Sequence, residues 1–121
     1  MGYLYYGNYA LYYEIGRVEL LRSLGLTYRS FEEELGVMMP VLNMSARYVR
    51  PARYDDEVEI RTQLRRMPAR DMVFDFELYG TGPGAKLLNG GRVALCFVEI
   101  ASGGRVACPG VLADKLRPHF A

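Results

Sequence analysis

The chain holds one histidine and two cysteines, and this small set restricts the chemistry that its side chains can perform. Any Ser-His-Asp or Cys-His catalytic device would have to use His119, which is third from the C-terminal end, in a tail of the kind that is usually poorly ordered. Cys96 and Cys108 lack a metal-ligand spacing, and one histidine cannot form a histidine-rich metal site. We therefore expect an enzyme of this sequence to use carboxylates, tyrosines, lysines and backbone amides, without a metal or a cofactor.

A helix that begins near Asn8, a favoured N-cap residue, and ends before Gly25 carries the first group of such side chains. Glu14 and Arg17 are three residues apart on this helix and are expected to form a structural ion pair. A second, short helix is predicted over residues 28–35. Apolar residues occur at almost every angle around the axis of the first helix, which is typical of a helix buried on nearly all sides: Tyr9, Leu11, Tyr12, Tyr13, Ile15, Gly16, Val18, Leu20, Leu21 and Leu24.

After Pro40 apolar residues alternate with polar ones, which predicts antiparallel strands with one dry face and one solvated face. The last long strand is interrupted at residues 89–91 (Asn-Gly-Gly), which is typical of a bulge. Residues 93–98 are apolar on both faces, which indicates a central strand. The strands are predicted over residues 42–49, 57–65, 71–79 and 87–100, with a short strand at Val106.

The architecture follows from combining these elements. A helix that is apolar on all sides must be enclosed, and strands with one dry face need something to cover. We therefore predict an α+β fold in which an antiparallel sheet wraps around a long central helix. The chain has no linker, repeat or low-complexity segment and is expected to form one domain over residues 1–121. Because one helix covers only part of such a sheet, we expect two subunits to pair.

The composition excludes several classes of protein. Of the 121 residues, 50% are apolar and 24% are charged, and the formal net charge is +1. This apolar fraction excludes a disordered chain, and the charge balance and the dry-side strand aromatics exclude a nucleic-acid-binding protein. No apolar run approaches the ~20 residues that span a bilayer, and the N-terminus lacks a signal-peptide pattern. We expect a cytoplasmic protein that does not insert into a membrane.

Two segments resemble a known enzyme family. Residues 2–9 (GYLYYGNY), followed by residues 13–17 (YEIGR) and 19–21 (ELL), are similar to the helix-start pattern of hot-dog-fold acyl-CoA thioesterases. The closer resemblance is to the 4-hydroxybenzoyl-CoA thioesterase-like group, which includes acyl-CoA thioesterases encoded with the Tol–Pal system. Residues 48–56 (YVRPARYDD) resemble the same group's Arg-Pro-x-x-Tyr-x-Asp corner between two strands. The resemblance extends over nearly the whole chain and implies a hot-dog fold.

The sequence departs from the family pattern at its start. In the family, the catalytic carboxylate is an Asp three positions before the glycine matched by Gly2, and a first strand precedes that Asp. Both places lie upstream of Met1, so we expect the native protein to extend upstream. The histidine common in the family is Tyr6 here, as in members that carry tyrosine. Glu14 is the alternative catalytic carboxylate, since some hot-dog enzymes place theirs on this helix.

The resemblance implies thioester hydrolysis at the start of the first helix. The backbone amide at Tyr6 is the expected donor to the thioester carbonyl, since free amides at a helix N-terminus stabilise a developing oxyanion. Gly7 lets the substrate approach the backbone closely, and Asn8 orients the turn, unless it is only a helix cap. Tyr5 and Tyr9 are candidate substrate contacts, with ordinary core packing as the alternative.

Arginine makes up 13 of the 15 basic residues, and 7 of the 13 lie between Arg47 and Arg70. Guanidinium groups bind phosphates through paired hydrogen bonds, so this cluster is a candidate site for the phosphates of coenzyme A. The alternative is that these side chains only solvate strand faces. The candidates are Arg47, Arg50, Arg53, Arg65 and Arg66.

We therefore predict a homodimer or dimer of dimers that acts as an acyl-CoA thioesterase and converts a small or medium acyl-CoA into a free acid and coenzyme A. A second hypothesis is a hot-dog dehydratase or hydratase, which needs an acidic residue together with a histidine, and His119 is badly placed for that. A third is a non-catalytic acyl-CoA-binding or regulatory protein on the same fold, which would not need the catalytic Asp.

Overall fold

The computed structural model of the protein describes residues 7–50, 57–81, 84 and 86–120. No helix in these ranges is both long and apolar enough to cross a bilayer. The helices are α1 (Gly7–Ser23), α2 (Tyr28–Ser30), which continues into a π-helical turn (Phe31–Leu35), and α3 (Gly110–Leu116), which continues into a 3₁₀ turn (Arg117–His119). The strands are β1 (Val37–Met38), β2 (Val41–Tyr48), β3 (Val58–Leu64), β4 (Asp71–Gly80), β5 (Leu87–Glu99) and β6 (Arg105–Val106).

Helix α1 lies where the sequence predicts it, and a glycine follows its last turn. Gly25 has φ of +78°, a left-handed conformation that glycine adopts without steric cost. The Leu26 N–H then donates to the Leu21 carbonyl at 2.9 Å, which closes the turn. The chain continues into the predicted second helix at residues 28–35.

The six strands form one antiparallel sheet in which β5 has the most partners. Strand β5 pairs with β1, β2, β4 and β6, whereas β3 pairs with β4. Phe74 of β4 lies opposite Val93 of β5, so the buried face of β4 and the face of β5 that carries Val93 lie on the same side of the sheet. We call this the inner face, because α1 packs on it; Asp75 and Arg92 lie opposite each other on the outer face.

The core lies between the inner face of the sheet and the helices. Strand β5 is buried on both faces over residues 93–98, which confirms its predicted central place. The largest fully buried side chains include aromatic residues from α1, the π-helical turn, β4 and β5: Tyr13, Phe31, Phe74, Phe76 and Phe97.

The C-terminal tail is ordered, contrary to the expectation from the sequence. Leu112 and Leu116 are one helical turn apart on α3, and both are buried in the core cluster. Burial of this apolar pair supplies the free energy that orders the segment. His119 follows in the 3₁₀ turn and is exposed.

The predicted bulge at residues 89–91 is displaced by one residue. Gly91 lies in register with Phe76 of β4 and with Ala46 of β2. The irregularity falls between the Leu78–Asn89 and Tyr79–Leu87 pairs, so Leu88 is the extra residue. The glycines at positions 90 and 91 therefore do not form the bulge.

Two expectations about burial are wrong for the single subunit. Helix α1 is not enclosed, because Leu11 is 57% exposed and Ile15 is 42% exposed. Strand β2 has no dry face, because all eight of its residues are exposed. Both departures have one physical reason: within the described residues, the sheet covers only one side of α1, and β2 pairs with β5 alone.

Candidate active site

The start of α1 supplies a set of free backbone amides. The helix begins at Gly7, and its first N–H groups have no intrahelical acceptor. The first turn contains no acidic residue, so no carboxylate there offsets the positive end of the helix dipole. Such an end can stabilise an oxyanion that develops on a bound carbonyl.

Asn8 is the second residue of α1 and does not precede it. A cap at Asn8 would make Tyr9 the first helical residue, so the helix begins two residues earlier than the sequence pattern indicates.

Two tyrosines hold the first turns of α1 on the sheet. Tyr9 and Tyr13 are one turn apart and both are buried. The Tyr9 ring lies 5.1 Å from the Tyr48 ring of β2, and the Tyr13 ring stacks on Phe76 of β4 at 4.8 Å between centroids. These contacts set the position of the helix start relative to two strands.

A buried hydrogen bond joins α1 to β5. The Tyr13 hydroxyl donates to Oδ1 of Asn89, and both side chains are fully buried. The Nδ2 group of Asn89 is buried and has no hydrogen-bond partner among the described residues. Gly91 lies beneath the Tyr13 ring, where a Cβ atom would overlap the phenol carbon and oxygen. A glycine is needed there because the tyrosine occupies the space of a side chain.

The buried phenols stay protonated at neutral pH. Burial raises the pKa of Tyr13 above its ordinary value of 10.0, and the nearby Tyr48 and Tyr9 raise it further. Burial also raises the pKa of Tyr9, with Tyr48 and Tyr12 contributing. Both groups therefore act as hydrogen-bond donors and not as general bases.

The thiols are not candidate nucleophiles. Burial raises the pKa of the Cys108 thiol to about 11, which leaves it protonated at neutral pH. Cys96 is buried in β5, as expected of a core residue.

The structure does not place every predicted site residue. Tyr5, Tyr6 and Arg53 lie outside the described residues. Glu14 is exposed on α1. The expected Glu14–Arg17 ion pair is wrong: the ion pairs of the described ranges do not include it, and Nε of the buried Arg17 donates instead to the Tyr28 hydroxyl at 3.3 Å. Glu14 points to solvent while Arg17 points inward, so their spacing does not bring them together.

Several arginines line a groove on the outer face. Of the predicted candidates, Arg47 and Arg65 line it, whereas Arg50 and Arg66 are exposed outside it. The groove has a volume of about 840 Å³ and lies across β2, β3, β4 and β5. Its side-chain lining includes Ser45, Arg47, Arg61, Gln63, Arg65 and Arg92. We call this the arginine groove.

Sequence reasoning missed Arg61 and Arg92 as groove residues. Arg61 of β3 and Arg65, which directly follows that strand, are four residues apart, so their side chains lie on the same face of the extended chain. Asp75 joins Arg65 and Arg92, with a carboxylate oxygen 2.7 Å from Nε of each. The period of two within β3 could have identified Arg61, whereas the pairing of Arg92 with Asp75 depends on strand register.

Comparisons with known proteins place these features in a family. The family model described as "Thioesterase superfamily" matches residues 1–85. The acyl-CoA thioester hydrolase YbgC of Escherichia coli O6:H1 is 34% identical over 73 residues, which are 60% of this chain and 54% of that protein. The chain therefore spans about half the length of the curated relatives it matches.

Solved structures share the fold. A hypothetical protein from Thermus thermophilus has a TM-score of 0.86 and 28% identity, covering 98% of this chain and 87% of that chain. A mutant of 4-hydroxybenzoyl-CoA thioesterase, complexed with 4-hydroxybenzoyl-CoA, has a TM-score of 0.82 and 22% identity, covering 96% of this chain and 85% of that chain. These likenesses agree with the predicted hot-dog fold.

Proposed function

This chain belongs to the thioesterase superfamily, and we propose that it is an acyl-CoA thioesterase that hydrolyses a small or medium acyl-CoA to a free acid and coenzyme A. The observation that carries the proposal is the start of α1, whose first turn contains no acidic residue and whose position two buried tyrosines fix. The likeness to YbgC supports the same reaction.

The proposed reaction uses the backbone more than the side chains. The amide of Tyr6 and its neighbours donate to the thioester oxygen and stabilise the negative charge of the tetrahedral intermediate. Gly7 leaves room for the carbonyl to approach, and Asn8 orients the first turn. A carboxylate either activates water for attack on the carbonyl, or attacks the carbonyl itself and forms a mixed anhydride that water then hydrolyses. In both routes a C–O bond forms, the C–S bond breaks, and a proton from water passes to the coenzyme A thiolate.

Two carboxylates are proposed for this step. The first is the Asp that the family carries before the glycine matched by Gly2, in a segment upstream of Met1. The second is Glu14, which is exposed on α1. Seven residues separate Glu14 from Gly7, a rise of roughly 10 Å along the helix, which favours the upstream Asp for the carbonyl bound at that helix start.

A groove beside β3 supports the proposal of a first strand upstream. Within the described residues β3 pairs only with β4, which leaves its other edge open. Between this edge and α1 lies a groove of about 530 Å³, lined by Ile15, Leu20, Val58 and Ile60 among others. A strand added there would cover the apolar side of α1 and complete a sheet that wraps around it as the central helix.

Strand β2 supports the proposal of a homodimer, alone or within a dimer of dimers. It is an exposed edge strand that carries the apolar residues Val41, Leu42 and Met44. Exposed apolar edges favour association, and two-fold pairing of the β2 edges would cover them. The acyl sites would then lie at the subunit interface. A sedimentation-equilibrium result of a stable monomer at micromolar concentration would contradict this proposal.

The arginine groove is the proposed site for the phosphates of coenzyme A. Arg47 and Arg65 were predicted for this role, and Arg61 and Arg92 add two further guanidinium groups. Arg47 forms no ion pair with any described residue, which leaves its guanidinium available for a phosphate. Tyr5, Arg50, Arg53 and Arg66 remain proposed substrate contacts, whereas the burial of Tyr9 favours the alternative of core packing for that residue.

Two finer assignments complete the proposal. The motif at residues 2–21 supports membership of the Tol–Pal-associated type. The composition supports a cytoplasmic location.

Thiol release from short-chain and aromatic acyl-CoA esters tests the activity, and calorimetric titration with the same esters tests binding. Release of coenzyme A by the native protein is the expected result. Binding of the esters without release would replace the enzyme with a non-catalytic acyl-CoA-binding or regulatory protein. Neither binding nor release would contradict both functions.

A further inference from the structure

The hydrogen bond between Tyr13 and Asn89 connects two distant parts of the chain, since the residues are 76 positions apart. Both side chains are fully buried, yet within the part of the chain that the structure describes the Nδ2 group of Asn89 has no hydrogen-bond partner. An orphaned buried amide lowers the stability of a protein. Phenylalanine at position 13 together with leucine at position 89 would pack without that cost, so stability alone does not explain the polar pair.

The surrounding contacts restrict the position and the rotation of α1 relative to the sheet. The Tyr13 ring stacks on Phe76, and its edge lies over Gly91, where no side chain fits beneath it. The ring contacts limit the height of α1 above the sheet. The hydrogen bond to Asn89 adds direction, because it weakens steeply when donor and acceptor are misaligned. It therefore fixes both the rotation of α1 about its axis and its shift along that axis.

We propose that Tyr13 and Asn89 are positioning residues that aim the free amides at the start of α1. Tyr13 lies six residues from Gly7, a rise of about 9 Å, and a helix transmits such a setting as a rigid element. A misplacement of about 1 Å at a catalytic group can lower a rate about a hundredfold. The catalytic part of this inference rests on the proposed thioesterase activity, whereas the positioning part does not.

The test compares four variants of the full-length protein with the wild type. Tyr13→Phe and Asn89→Leu each remove one partner, and the double variant Tyr13→Phe/Asn89→Leu removes both. Tyr12→Phe is the matched control, because it removes a phenol hydroxyl from the neighbouring residue and leaves the Tyr13–Asn89 bond in place. The readouts are the urea midpoint, hydrogen exchange of the amides of residues 11–16, which bond to the carbonyls of residues 7–12, and kcat and KM for acyl-CoA hydrolysis.

We expect the single variants to lose stability and the double variant to regain it, because replacing both partners by apolar groups is nearly neutral. In the double variant the amides of residues 11–16 nevertheless exchange faster than in the wild type, and kcat is about tenfold lower while KM changes less than about twofold. Tyr12→Phe retains wild-type exchange and kcat.

Recovery of wild-type exchange and kcat in the double variant would overturn the proposal and leave the bond a purely structural contact. If the wild type hydrolyses no acyl-CoA ester, the proposed function fails separately. Hydrogen exchange still decides the positioning role in that case, because it needs no substrate.

Discussion

The phenol ring of Tyr13 lies directly over Gly91 and occupies the space that a Cβ atom on residue 91 would need. The two residues come from the centre of β5 and the second turn of α1. Their contact explains why the inner face of β5 carries a glycine at this point.

Gly91→Ala should destabilise the protein by about 1–3 kcal/mol, because the new methyl group overlaps the Tyr13 ring and displaces α1. Gly90→Ala is the matched control, since its Cβ would have only the Phe76 carbonyl oxygen nearby, at an ordinary 3.9 Å. Urea midpoints of the two variants measure the difference. Equal midpoints would show that the space beneath the ring is not limiting.

Gly16→Ala should also destabilise the protein, although alanine gains about 1 kcal/mol over glycine in an exposed helix interior. Its Cβ would overlap the Thr62 hydroxyl and lie 3.0 Å from the Phe76 ring. Adding Thr62→Ala should recover part of the loss, which a double-mutant cycle of unfolding free energies measures. Gly80→Ala has no heavy atom within 4 Å of the added Cβ and serves as the control.

Alkaline pH should weaken the fold through the two buried phenols. The pKa values of Tyr13 and Tyr9 are raised by burial above 10.0, whereas in the unfolded chain both ionise near that value. Below pH 10 their contribution to stability is complete; above it the unfolded state binds fewer protons, so the free energy of unfolding falls as the pH rises. Urea midpoints between about pH 8 and about pH 11 should fall less steeply in Tyr13→Phe/Tyr9→Phe than in the wild type. Parallel slopes would refute this assignment.

Gly7→Val should lower kcat about a hundredfold to a thousandfold, because the new side chain obstructs the approach of the thioester to the amides that serve as oxyanion-hole donors. Tyr6→Phe should keep much of the activity, because the proposed donor is its backbone amide. Circular dichroism checks that both variants fold. If Tyr6→Phe abolishes turnover and Gly7→Val does not, the phenol is the catalytic group.

Arg47→Met should raise KM for acyl-CoA esters with little change in kcat, because a phosphate contact far from the thioester contributes equally to ground state and transition state. Arg22→Met is the control: Arg22 is exposed on α1 and pairs only with Glu19 among the described residues. Identical KM values for the two variants would remove the arginine groove from the substrate site.

Local pattern predicts the elements of this fold well. The period of two in β3, β4 and β5 and the glycine after α1 are visible in the sequence, and each element forms where its pattern indicates. Helix α3 is not among the predicted elements, although the spacing of Leu112 and Leu116 fits a helix, because chain ends are usually disordered.

Relationships across the chain are what the sequence could not supply. The Glu14–Arg17 spacing permits an ion pair, but tertiary packing turns Arg17 inward to Tyr28. The glycines of β5 have the composition of a bulge, yet Gly91 is required by a tyrosine 78 positions earlier. Likewise, the arginine groove forms only when strand register brings Arg92 beside Asp75 and Arg65.

The all-exposed strand β2 links assembly to concentration. In a single subunit its place in the sheet depends on hydrogen bonds to β5, with no buried side chain to reinforce them. In the proposed dimer the partner subunit covers this strand, and dilution separates the subunits. By mass action the thermal midpoint should therefore fall as the protein concentration is lowered. Because Arg47 lies on β2, the same dilution would loosen one wall of the arginine groove, so that substrate affinity itself would depend on how much of the protein is present.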